Sequence, residues 1–118
     1  MELIESIVFS HEHPTFYDEE WDASITGNGK IRGYRINNEV YIIGDLIFSS
    51  ERCSYMFAAK NSYGDLLWAN LQEIEGLSLL NVSGATNMRM MFAYTQVEDL
   101  KEIEDWDVSK VENFTAMF

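Results

Sequence analysis

From Leu71 onward the chain places an apolar side chain at every third position: Leu71, Ile74, Leu77 and Leu80. The pattern then slips and resumes at Val82, Ala85, Met88 and Met91. A step of three suits a short helical turn or a coil laid along the edge of a stack. The shorter step from Leu80 to Val82 marks an extended segment, where side chains alternate. The same profile returns 26 residues later at Val97, Leu100, Ile103 and Trp106, then at Val108, Val111, Phe114 and Met117. Ser83 and Ser109, Asn87 and Asn113, and Phe92 and Phe118 also coincide, while the positions between them vary. A unit that keeps its apolar stripe and little else is one that buries the stripe against a neighbour. Each copy is expected to hold a short strand, around 79–82 or 105–108, followed by a helical or 3₁₀ turn that closes on a Met-Phe pair. A fainter copy ends at 53–57, where Met56 and Phe57 match Met91 and Phe92 at an offset of 35. The excess over 26 is placed within 58–70 as an insertion, and Ile47 then takes the part of Val82.

The N-terminal half is patterned differently. Residues 30–45, KIRGYRINNEVYIIGD, alternate well enough for a strand, a turn at Asn37 and Asn38, and a second strand. Asparagine tolerates the positive φ that a tight hairpin needs. ITGNG at 25–29 reads as a preceding turn. Leu3, Ile4, Ile7 and Val8 read as a strand or a helix face, and Pro14 ends it. A hairpin sheet before the repeats would cover their exposed apolar end.

Composition narrows the classes. A length of 118 residues with 47% hydrophobic and 14% aromatic side chains fits one domain with a packed core. No apolar run approaches the length of a membrane span. The start, MELIESIVFSHEHP, has no basic region, long apolar stretch or small-residue cleavage site. A cytoplasmic location is expected unless a targeting segment has been lost. Cys53 is the sole cysteine, which excludes an internal disulfide and suits a core thiol.

Charge alters the picture most. The formal net charge is -12, and residues 1–22 and 98–118 hold seven acids each. A field of that sign repels phosphate, so direct nucleic-acid binding is not expected, and it attracts basic surfaces.

The stretch WDVSKVENFTAMF, 106–118, resembles the 26-residue repeat of BspA-like bacterial surface proteins, relatives of the leucine-rich repeats. Residues 27–57 are similar to the segment that precedes the repeats there, and the likeness extends over roughly 21–118. The first copy departs from the pattern, with Leu80-Asn81 for Trp-Asp and Ala85 for Val. The resemblance implies an LRR-like solenoid used for binding, with no catalytic residues to carry over. Combined with the patterning, the expected fold is a β-rich α+β domain. Residues 1–45 form an N-terminal cap with a hairpin sheet, and residues 46–118 form a short LRR-like solenoid of two to three 26-residue repeats.

Candidate chemistry is sparse. His11 and His13 lie on one side of an extended segment, which is too few ligands for a zinc site. GNG at 27–29 lacks the helix and lysine of a phosphate loop. Ser83 and Ser109 have no matching histidine and are expected to hydrogen-bond their turns with Asn87 and Asn113. The expected function is therefore non-enzymatic, with no cofactor and no metal. Two acidic segments are the expected partner-binding residues: Asp18, Glu19, Glu20, Trp21 and Asp22, where an aromatic anchor is framed by charge, and Glu98, Asp99, Glu102, Glu104 and Asp105 on the outer edge of the second repeat. The partner is a protein with a basic surface. One version is a phage or mobile-element inhibitor that mimics nucleic acid, as anti-CRISPR proteins do; the alternative is a fragment or small relative of a cell-surface LRR-like adhesin. Either self-association through the apolar end at Met117 and Phe118 or burial of that end by a partner is expected.

Overall fold

The computed structural model describes residues 3–24 and 27–118. Residues 25 and 26 of the turn expected over 25–29 lie outside the described residues. Among the described residues seven short strands form: β1 (Ser6–Ser10), β2 (Glu19–Asp22), β3 (Arg32–Ile36), β4 (Glu39–Ile43), β5 (Ile47–Phe48), β6 (Glu73–Glu75) and β7 (Leu80–Asn81). Five of them make one mixed sheet in the order β2-β3-β4-β1-β6, and β5 and β7 pair in parallel as a second, two-stranded sheet. The hairpin expected over 30–45 is β3–β4, antiparallel, with Asn37 at φ 52 in its turn. The segment with two open readings, around Ile4 to Val8, is a strand. Ile7 and Phe9 alternate inward, and β1 lies between β4 and the edge strand β6, parallel to both.

The expected fold, an α+β domain in which a hairpin sheet caps an LRR-like solenoid, is not the one observed. The molecule is a small β-rich domain with a mixed sheet, and among the described residues its helix content is two 3₁₀ segments, Leu77–Leu79 and Lys101–Asp105. The step of three is the period of a 3₁₀ turn, which stays short because its hydrogen bonds are poorly aligned. Nor do the halves separate into a cap and an array. Strand β6, from the second half, adds in parallel to β1, and one core runs through both: Ile7, Phe9 and Val40 with Leu71, Ile74, Met88 and Phe92. Within the first copy the 3₁₀ segment precedes the strand rather than following it. Residues 105–108 form no strand.

The matching stretches nevertheless lie side by side. Asn87 bridges to Arg52 on one side and to Asn113 on the other. The N–H groups of Met88, Met90 and Phe92 donate to the carbonyls of Asn113, Thr115 and Met117 at 2.8, 2.9 and 2.8 Å. Those of Cys53, Tyr55, Phe57 and Ala59 donate in turn to Asn87, Arg89, Met91 and Ala93. Tyr55, Met90 and Ala116 share a positive φ of 59, 54 and 51°, so the same turn occurs at each offset. The rings of Phe57 and Phe92 stack with centroids 5.5 Å apart, and those of Phe92 and Phe118 at 5.7 Å. Isolated bridges and tight turns make this contact; no continuous strand or helix runs along it. Ile47 sits opposite Leu80, not Val82 as expected from the offset of 35. The insertion placed within 58–70 is a small excursion closed by Leu67 and Trp68, whose N–H groups donate to Ala59 and Ala58.

Candidate interaction surface

Strand β2 carries the first acidic segment, and all four of its residues are exposed. Antiparallel pairing sets Glu19 against Arg35 and Trp21 against Gly33. The indole of Trp21 lies directly on Gly33, in the space a Cβ would fill, so only glycine admits it there. The carboxylates are engaged within the molecule. Arg35 pairs with Asp18 at 3.5 Å and Glu19 at 3.1 Å, and Arg32 with Glu20 at 3.1 Å. Asp18 also accepts the N–H of Asn37 in the hairpin turn at 2.8 Å. Asp22 accepts from Ser24, through both hydroxyl and N–H, and from the N–H of Gly29. Those bonds from Ser24 hold its carboxyl below the usual carboxylate range. Exposed pairs of this kind add little stability, on the order of 0–1 kcal/mol each. Two arginines against four carboxylates offset about half of the local charge, so 18–22 is a partly paired anionic patch.

The second segment divides. Glu102 is half-buried, and its carboxylate accepts the N–H groups of Gly76 and Leu77 at 3.1 and 3.2 Å and the hydroxyl of Ser78 at 3.0 Å. It thus caps the 3₁₀ segment of the preceding copy, where Gly76 takes a φ of 73° in close approach to the Phe9 carbonyl. Asp99 accepts the N–H of Lys101 at 3.2 Å. Glu98, Glu104 and Asp105 are exposed.

Tertiary structure brings other carboxylates to the same place. In the register of β4, β1 and β6, Glu39 and Glu73 both flank Ser6, and Tyr41 and Glu75 both flank Val8. Strand alternation therefore puts Glu39, Glu73 and Glu75 on one face of the sheet. Next to edge strand β6 is a groove of about 930 Å³, lined by Glu73, Glu75, Glu98, Asp99 and Glu102, with Lys101 as its one cation. Crowding is felt there. A hydrogen bond with Glu73, then burial, then the charges of Glu73, Glu39 and Glu102 raise the Glu75 carboxyl above its ordinary value. The hydrogen bond to Glu39, at 2.6 Å, leads the causes that push the Tyr41 phenol up to about 12. Sequence reading missed Glu39, Glu73 and Glu75, because only strand pairing joins them to 98–102; alternation of acids around Ile74 was the available signal.

A model of Mycoplasma proteins of unknown function, DUF285, matches residues 51–118, more than half of the chain. The chain belongs to the DUF285 family. No curated protein and no solved structure matches it. The DUF285 region takes in both copies of the repeated pattern and the end of the fainter one, together with β6 and the 98–102 wall of the groove; strands β1 to β5 precede it.

Elsewhere in this DUF285 chain the candidate chemistry is accounted for. His11 donates from Nδ1 to the Gly44 carbonyl at 2.8 Å, and His13 Nδ1 is hydrogen-bonded to the Tyr34 hydroxyl at 2.8 Å, so the two imidazoles serve different partners. Among the described residues no cluster of three or more His, Cys, Asp or Glu is arranged to hold a metal ion. Cys53 is buried, and burial raises its thiol above the ordinary value. The asparagine turns hold as expected, Asn87 and Asn113 accepting the N–H groups of Arg89 and Thr115, whereas Ser83 and Ser109 take part through their backbone N–H groups, which donate to the side chains of Asn81 and Asp107. No helix among the described residues is long and apolar enough to cross a membrane.

Proposed function

We propose that this DUF285 chain is a non-enzymatic protein-binding module, and that its binding site is the carboxylate groove beside β6. The observation that carries the reading is the coincidence of an open strand edge with five carboxylates on the walls of one groove. An extended segment added to β6 would gain main-chain hydrogen bonds, and lysines or arginines on it would meet Glu73, Glu75, Glu98 and Asp99. Electrostatic attraction from a chain of net charge -12 would speed the encounter. An inhibitor that occupies the basic surface of a nucleic-acid-handling protein is one form of this function. The second reading, a relative of bacterial surface adhesins, is favoured by the resemblance of 106–118 to the BspA-like repeat.

The test is titration of the protein with an extended lysine-rich peptide, followed by fluorescence anisotropy. Glu73→Lys with Glu98→Lys is expected to weaken binding by about tenfold or more, and added salt to weaken the parent in the same direction. The same reversal at Glu19 and Glu20, already paired with arginines, is expected to change little. Binding that ignores both salt and the Glu73/Glu98 reversal would overturn the reading.

A further inference from the structure

The acids of this chain are absent from two runs. Residues 52–64 and 76–97 contain no Asp or Glu, although the chain has 20. The fold lays these two runs against each other: Cys53, Tyr55, Phe57 and Ala59 donate to Asn87, Arg89, Met91 and Ala93. The paired runs hold Arg52, Lys60 and Arg89 and no carboxylate of their own; Glu51, Asp65 and Glu112 lie at their borders. The ion pairs among the described residues use only Arg32 and Arg35. Lys60 and Arg89 are held by tyrosines instead. Lys60 Nζ sits 4.5 Å from the centroid of the Tyr94 ring, and Arg89 Cζ 5.8 Å from that of Tyr55. Arg89 Nη1 donates to the Tyr55 hydroxyl at 2.8 Å, and that hydroxyl donates to Ser62 Oγ at 3.2 Å. Tyr63 and Tyr94 project into solvent beside them. None of the molecule's main hollows includes these residues. A surface of tyrosine and arginine suits a protein contact, because those side chains carry much of the energy in interfaces.

We propose that this tyrosine-cation face docks the carboxylate groove of a second copy of the chain, giving head-to-tail self-association. The inference rests on the groove being a docking site, as in the function proposed above, and names one partner for it. Charge complementarity selects that partner. The groove offers Glu73, Glu75, Glu98 and Asp99; the tyrosine-bearing surface offers Lys60 and Arg89, each held against a tyrosine rather than a carboxylate. Like net charge does not forbid the contact. The molecule measures 39 × 28 × 26 Å, so the centres of two copies stay about three Debye lengths apart at physiological salt, and the juxtaposed faces dominate. Because two different faces meet, the association is heterologous and either closes into a ring or extends.

Sedimentation velocity over about a hundredfold range of concentration tests this, in buffers of about 100 mM and about 500 mM salt. The wild-type chain is expected to associate with concentration at the lower salt and to revert to monomer at the higher. Lys60→Glu with Arg89→Glu, and separately Glu73→Lys with Glu98→Lys, are each expected to sediment as monomers. Mixed, they are expected to associate again, since each supplies the face that the other has lost. Unchanged circular dichroism and melting of both variants control for folding. A wild-type monomer at every concentration overturns the proposal, as does association that strengthens with salt, the sign of an apolar contact through Phe118. The lysine-rich peptide separates the two readings. If self-association fails while the Lys60/Arg89 variant still binds that peptide, the groove stands and only its partner is wrong. If neither peptide nor second copy binds, the groove reading falls with this one.

Discussion

The copies of residues 71–92 and 97–118 share spacing and turn chemistry, yet they fare differently. Phe92 is 1% exposed and Phe118 70%. Val82 is 1% exposed and Val108 37%. The cause is position. The first copy is flanked on both sides, by 53–59 and by 113–117, whereas the second has its neighbour on one side only. An apolar stripe states what a segment is able to bury; its neighbours decide whether it does.

The sharpest break of the comparison is Phe92→Ala against Phe118→Ala. The first removes the middle ring of a stack within the core and is expected to cost about 3–5 kcal/mol in urea unfolding. The second is expected to cost less than about 1 kcal/mol. Equal losses would mean that the second copy is as buried as the first. Next comes the link between copies. Glu102→Ala removes the cap on Gly76 and Leu77 and is expected to cost about 1–2 kcal/mol, with Glu102→Gln recovering part of it. Hydrogen exchange at Gly76 and Leu77 should rise with the loss, and unaltered exchange there would contradict the cap. Smaller still are Asn87→Ala and Asn113→Ala, expected at about 0.5–1.5 kcal/mol each. Their bonds to Arg89 and Thr115 are both 2.9 Å and local, so the two costs should agree despite unequal burial.

The smallest effect concerns pH. Asn81 in the first copy is replaced by Asp107 in the second, and each accepts the N–H of a serine two residues on. Bonding to Ser109 lowers the Asp107 carboxyl below its ordinary 3.8. A group with a depressed folded value contributes stability above its unfolded value, and that stability is lost as pH falls through the folded one. Acid therefore weakens the second turn below about pH 4 and spares the first. Asp107→Asn is expected to abolish this difference, as read from the Ser109 amide shift in an NMR titration.

What proved legible in the chain was local. The hairpin at Asn37, the serine and asparagine turns, the insertion within 58–70 and the side-by-side placement of 87–92 and 113–117 all follow from short-range spacing. What proved illegible was long-range. Apolar steps of three around Leu77 did not reveal that neighbouring Ile74 would join a parallel sheet with Ile7, which turned an expected array into one mixed sheet. Counting acids ranked 18–22 beside 98–105, but pairing with Arg32 and Arg35 offsets half the charge of the first and capping engages Glu102 of the second. Glu73 and Glu75 gained importance only when β6 set them across the groove from Glu98 and Asp99.

By itself, then, the sequence determined the turns, the repeat interval and the sum of charge, because each depends on residues close in the chain or on composition alone. Tertiary structure decided which stripe is buried, which carboxylates stay unpaired and which cations keep company with tyrosine. Those outcomes depend on side chains meeting across dozens of residues, where pairing partners compete and the register of one short strand, β6, tips the result.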